Sequence, residues 1–219
     1  MKPLSRIDDG STLQELGKAS IQIVHDLKNQ PNGLKLYATF LRRRIEKSER
    51  PDDEQQTIIK LITGLDRAAD DLSLIVQYGR PIELKQQVGF DIQKTLRSIC
   101  SRLNEKELPV VCDSDVEPVL GNMDPTKMTD AFSWISDGAI KFRTHGDSET
   151  PVRVSLTRDS NNQARIEWSG FATIDHDPFR SFAGSDEIRM SLAAKIIEAH
   201  GGSVQHDRNR FLATVPLSD

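Results

Sequence analysis

The sequence predicts an α+β chain of two domains. Residues 1–79 read as an antiparallel helical hairpin, and residues 80–219 as an α/β sandwich with helices on one face of a mixed sheet. Three observations predict this. Apolar residues recur with a helical period through two long segments, Gly79-Arg80-Pro81 then interrupts the pattern, and beyond it the texture changes to short elements.

The first helix is expected from Ser11 to about Glu49, with Ser11 or Thr12 as its cap. Leu13, Ser20, Leu27, Leu34 and Leu41 make one seven-residue series and Leu16 and Ile23 its partner, the seam by which a helix packs on a neighbour. Pro31 removes the backbone bond to the Leu27 carbonyl and is read as a local bend inside this helix. The run Glu49 to Glu54 breaks the pattern, and Pro51 followed by acids suits the first turn of a second helix reaching about Tyr78. Ile58, Leu61, Ile62, Leu65, Ala68, Ala69, Leu72, Ile75 and Val76 give that helix a wide apolar stripe. One hairpin cannot hide both stripes. Two hairpins paired into a four-helix bundle can, so a homodimer is predicted.

After the boundary, Ile82 to Lys85 reads as an edge strand, Asp91 to Asn104 as a helix, Leu108 to Cys112 as a strand and Pro125 to Lys141 as a helix. Val152 to Thr157 and Ala164 to Trp168 alternate apolar with polar residues and flank Asp159-Ser160-Asn161-Asn162, a hairpin signal. Ser191 to His200 is helical and stops at Gly201-Gly202, and a last strand lies near Phe211 to Pro216.

Composition narrows the function classes. Charged residues of both signs are interspersed and the formal net charge is -4, which argues against a general nucleic-acid or membrane-surface role. Cys100 and Cys112 are too few for a disulfide framework and lack zinc-site partners, so they read as buried or incidental thiols. Met1 to Gly10 has no apolar core of signal-peptide length, and no run of 18 apolar residues occurs. A cytoplasmic protein is expected, with Met1 favouring a stand-alone component over a fragment.

His25 is the best candidate for a reactive group. It shares its heptad position with Lys18, Asn32, Thr39 and Glu46, all polar, which turns the imidazole to solvent within reach of another protein. A solvated surface histidine is the bland alternative, and its neighbours argue against it. Asp26 is placed to orient or deprotonate the ring, and Asn29, one turn on, to position a water.

The segment His25-Asp26-Leu27-Lys28-Asn29, continued by Gly33-Leu34-Lys35-Leu36-Tyr37, resembles the H-box of two-component sensor histidine kinases. That resemblance implies that His25 is the phospho-acceptor, that Asp26 assists phosphorylation and that Asn29 assists phosphatase chemistry. The proline of the family stands one residue earlier, where this chain has Gln30. The second half is similar to the family's ATP-binding domain, but the nucleotide motifs depart from it. In Ser133 to Phe142, Trp134 and Gly138 stand at the asparagine positions, one of which holds magnesium in the family, and Asp137 is the nearby carboxylate. In Ile166 to Ala172, Trp168 replaces the aspartate that accepts the adenine amino group, Gly170 survives and Ala172 replaces a glycine. Counting back from the well-matched Lys195 to Gly202 puts Glu187 and Arg189 where the family has phosphate-cradling glycines. Indole donates but does not accept, so adenine loses a charge-assisted hydrogen bond of roughly 1.5 to 3 kcal/mol. Side chains obstruct the phosphates, and the Glu187 carboxylate repels them. Trp134 and Trp168 read as packing residues, and His145, His176, His200 and His206 have no metal-ligand spacing.

A preserved H-box beside an eroded ATP pocket points to a histidine phosphotransferase in a phosphorelay. His25 would take a phosphoryl group from a response-regulator receiver domain and pass it on, or run in reverse as a sink, with no cofactor. The alternatives are an autophosphorylating kinase with an atypical pocket, which would need ATP and magnesium, and a non-catalytic pseudokinase scaffold. The expected partners are a receiver domain and a second copy of the chain, with no nucleic acid and no membrane.

Overall fold

The computed structural model describes residues 31, 34–43, 52–113, 118–143, 150–159, 161–182 and 184–218, with backbone alone at 52–55. The chain divides after Arg80 into two units. In the first, Pro31 is helical and residues 34–43 form helix α1. Helix α2 spans Asp52–Gly79. Lys35 of α1 pairs with Asp66 of α2. The apolar stripes are only partly covered: Ala38, Leu74 and Val76 are buried, while Leu34, Leu36, Tyr37, Phe40, Leu41, Ile59 and Leu61 are each more than half exposed in the single chain.

The second unit runs β1 (Gln87–Asp91), α3 (Ile92–Asn104), β2 (Val110–Asp113), β3 (Leu120–Met123), α4 (Pro125–Arg143), β4 (Val152–Arg158), β5 (Gln163–Ser169), a 3-10 turn at Pro178–Arg180, α5 (Ser185–Ala199), β6 (Ser203–Asp207) and β7 (Arg210–Pro216). Five strands form a sheet in the order β2-β4-β5-β7-β6, and β1 pairs with β3 in a separate ribbon. Among the described strands of this sheet, only the β2–β4 pair is parallel. Alternation along β4, β5 and β7 sends Val152, Val154, Leu156, Ala164, Ile166, Trp168, Phe211, Ala213 and Val215 into the core. The apolar faces of the three helices complete it. The β4–β5 turn forms where the Asp-Asn cluster predicts it, with the Asp159 carboxylate accepting from the backbone of Asn161 at 2.8 Å and Gln163 at 3.0 Å.

Several predicted boundaries are corrected. Ile82 to Lys85 is not a strand; the first strand begins at Gln87 and pairs with β3. Alternation alone does not make a strand without a partner edge, and the backbone of Lys85 instead donates to Asp124 Oδ2 at 2.8 Å. Helix α5 starts at Ser185, not Ser191, and strands β3 and β6 were not predicted.

Asp124 and His200 tie the helices to the ribbon. Asp124 caps α4, its Oδ1 accepting from the Lys127 backbone at 3.1 Å, with Pro125 at the first helical position. His200 is buried at the C-terminus of α5, where its Nδ1 lies 2.8 Å from the Ile196 carbonyl and its Nε2 accepts from the Asp124 backbone at 3.0 Å. These partners fix the neutral Nδ1–H tautomer. His200, assigned no role in the sequence, thus joins α5 to the start of α4.

Candidate functional site

His25, Asp26 and Asn29 lie outside the described residues, as does the heptad seam up to Leu27. The described surroundings of the resemblance are Leu34, Leu36 and Tyr37 on α1, all exposed.

The positions matched to nucleotide motifs are described: Gly138 and Trp168 are buried, and Trp134, Gly170, Ala172, Glu187 and Arg189 are partly buried. Trp168, on β5, is fully buried, and its indole N–H donates to Ser136 Oγ on α4 at 2.9 Å. Ser136 in turn donates to the Phe132 carbonyl at 2.7 Å, and the Phe132 ring lies 6.3 Å from that of Trp168. The ring nitrogen therefore faces inward into a satisfied pair. Phe211, opposite Trp168 in the β5–β7 register, lies 4.4 Å from Phe171 and 5.2 Å from Phe179, ring centre to ring centre. An aromatic cluster closes this end of the sheet.

Gly138, at one of the two positions where the resemblance implies asparagine, sits on α4 against α5. A Cβ there would come within 2.4 Å of Met190 Sδ, and Met190 is fully buried. The space of a longer side chain is taken by methionine. Gly170 has φ +90°, and a Cβ on it would meet the Pro151 carbonyl at 2.5 Å, so its glycine serves the backbone path itself. Glu187 and Arg189 lie within helix α5 and not in a loop. Glu187 holds Ser181 and, at 3.1 Å, the ring of His176; Asp186 pairs with Lys141 and, at 3.5 Å, with Arg189. A groove of about 520 Å³ does open in this unit, between α3 and α4, lined by Lys94, Ser98, Arg102, Thr129, Asp130 and Ser133 among others; Ser133 begins the first motif segment, but none of the substituted positions Trp134, Gly138, Trp168, Glu187 and Arg189 lines it.

No protein-family model matches the sequence, and no curated protein does. Solved structures match its fold. The chain superposes on full-length ShkA, solved in complex with AMPPNP, with a TM-score of 0.67 over 90% of its length at 16% identity. The histidine kinase ThkA in complex with the response regulator TrrA gives 0.64 over 96% at 18% identity. The histidine kinase AdeS of Acinetobacter baumannii gives 0.58 over 89% at 17% identity. The chain has a histidine-kinase fold. It spans 45% of the ShkA chain and 64% of the ThkA chain, against 98% of the AdeS chain. The sequence reading put the substituted motif positions at residues that lie on α4, at or just after β5, and on α5. It missed how they are filled: no short-range pattern reports that Met190 meets Gly138 or that the indole of Trp168 reaches Ser136. Among the described residues, no helix is long and apolar enough to cross a membrane.

Proposed function

We propose that the protein is a histidine phosphotransferase of two-component signalling, taking a phosphoryl group on His25 from a receiver-domain aspartyl phosphate. An imidazole nitrogen attacks the phosphorus, the phosphorus–oxygen bond to the aspartate breaks, and the carboxylate leaves; the reverse step returns the group. Asp26 orients the ring or takes its proton, and Asn29 serves hydrolysis. Positioning does most of the work, so no nucleotide pocket is needed.

One observation carries this reading over that of an autophosphorylating kinase. Trp168 stands where the resemblance requires an adenine-accepting acid, and it is fully buried with its only polar atom bonded inward to Ser136. The exposed apolar residues of α1 and α2 support a dimer through the hairpin, and the ThkA neighbour, solved with a response regulator, is consistent with a receiver as partner.

Labelled ATP and a phosphorylated receiver domain, offered in parallel, distinguish the readings. Acid-labile label is expected only from the receiver. Label from ATP, with a dissociation constant below about 1 mM, or roughly -4.1 kcal/mol of binding, establishes the kinase instead.

A further inference from the structure

The chain has two cysteines, and the fold brings them together. Cys100 belongs to the buried stripe of α3 with Leu96, Ile99 and Leu103, and is 4% exposed. Cys112 is on β2 and partly exposed. The height of α3 against β2 is set by Asn104, whose amide donates to the Val110 carbonyl at 2.9 Å while its oxygen accepts from the Val110 N–H at 3.0 Å. Four residues back along the helix is a rise of about 6 Å, and two residues forward along the strand is about 6.6 Å. Cys100 and Cys112 therefore stand level. Val111, between Val110 and Cys112, is exposed, so Cys112 shares the face on which Val110 is buried. The two thiols are near enough for each to shift the other's titration.

We propose that Cys100 and Cys112 form a reactive dithiol that hydrogen peroxide oxidises to a disulfide joining α3 to β2. Cys112 is the attacking group because it is the accessible one. Its thiolate attacks one peroxide oxygen, the oxygen–oxygen bond breaks, and the leaving hydroxide takes a proton to become water, giving a sulfenic acid. The Cys100 sulfur then attacks the Cys112 sulfur, the sulfur–oxygen bond breaks, and a second water leaves with the Cys100 proton. Two thiols and one peroxide thus give one disulfide and two waters. The surroundings favour this division of labour. The neighbouring Cys100 thiol, and next the charge of Arg97, lower the Cys112 thiol to about 7 against desolvation and the Asp113 carboxylate, whereas the Cys112 side chain and burial push Cys100 up.

The test treats the full chain with hydrogen peroxide, blocks remaining thiols and maps peptides without reduction. Both thiols are expected to disappear together into a crosslink within one chain, reversible by dithiothreitol. With native protein and no oxidant, Cys112 should alkylate at least about tenfold faster than Cys100, its rate levelling off above about pH 7. In Cys100→Ala, dimedone should trap a sulfenic acid at Cys112; in Cys112→Ser, Cys100 should stay unlabelled. Equal alkylation rates overturn the proposal, as does a crosslink between Cys112 residues of two copies, or oxidation of Cys112 that leaves Cys100 a free thiol. The alkylation comparison and the crosslink map use the unmodified sequence, so a variant that fails to fold does not rescue the idea.

Discussion

Trp168 and Gly138, at positions matched by resemblance to nucleotide motifs, are both packed into the core. Restoring an aspartate at 168 places a carboxylate among Phe132, Ser136 and the β7 core, where one hydroxyl replaces a full hydration shell. Trp168→Asp should therefore destabilise the protein by more than about 3 kcal/mol in urea melts, and should not create ATP affinity; a well-folded variant that binds ATP would contradict the packing account. Restoring asparagine at 138 forces its Cβ against Met190. Gly138→Asn should cost about 1 to 3 kcal/mol, and adding Met190→Ala should recover part of it. Additive effects in that double-mutant cycle would mean that the methionine is not the obstacle. The residue substitutions themselves were legible in the sequence, because an indole for an acid and a glycine for an asparagine are changes of chemistry. The contact partners were not, since 168 meets 136 and 138 meets 190 only after the sheet and helices have assembled.

At the level of elements, legibility followed periodicity. Helices α3 and α4 and the β4–β5 hairpin carry strong patterns bounded by Asp91, Pro125 and the Asp159 turn, and the structure places them within a few residues of the reading. Strand β3, Leu-Gly-Asn-Met, contains two poor strand formers and exists because β1 pairs with it. Strand β6 is a polar edge strand, again defined by its partner. The first turns of α5 were hidden by the expectation of a glycine-rich loop, though Ser185, Asp186 and Glu187 are good residues for a helix start. The cap of α4 makes an element-scale prediction. Desolvation raises the Asp124 carboxyl, but the backbone N–H groups of Lys127 and Lys85, the Lys127 charge and the Thr126 N–H together outweigh it and hold the group below its ordinary 3.8. A carboxyl depressed on folding stabilises the protein above its unfolded value, and that contribution is lost as pH falls through the folded value. The stability gap between the parent and Asp124→Asn should thus be present at neutral pH and shrink below about pH 4. A gap independent of pH would show that the charge contributes nothing there.

For the whole molecule, the described hairpin leaves Phe40, Leu41, Ile59 and Leu61 each more than half exposed in the single chain, and clustered exposed apolar residues mark interaction surfaces. Light scattering should find a dimer of the full chain at micromolar concentration, and Leu41→Asp should shift it toward monomer; a parent that is monomeric removes the four-helix-bundle reading. The acceptor site rests on sequence, because His25, Asp26 and Asn29 precede the described residues. The heptad reading groups His25 with polar positions alone, so His25→Ala is expected to melt within about 0.5 kcal/mol of the parent. The most direct measurement is therefore phosphoryl transfer to parent and His25→Ala protein from a phosphorylated receiver domain, alongside labelled ATP. The account predicts acid-labile label on the parent from the receiver alone and none on the variant. Label that survives in His25→Ala, or that reaches His25 from ATP, contradicts it.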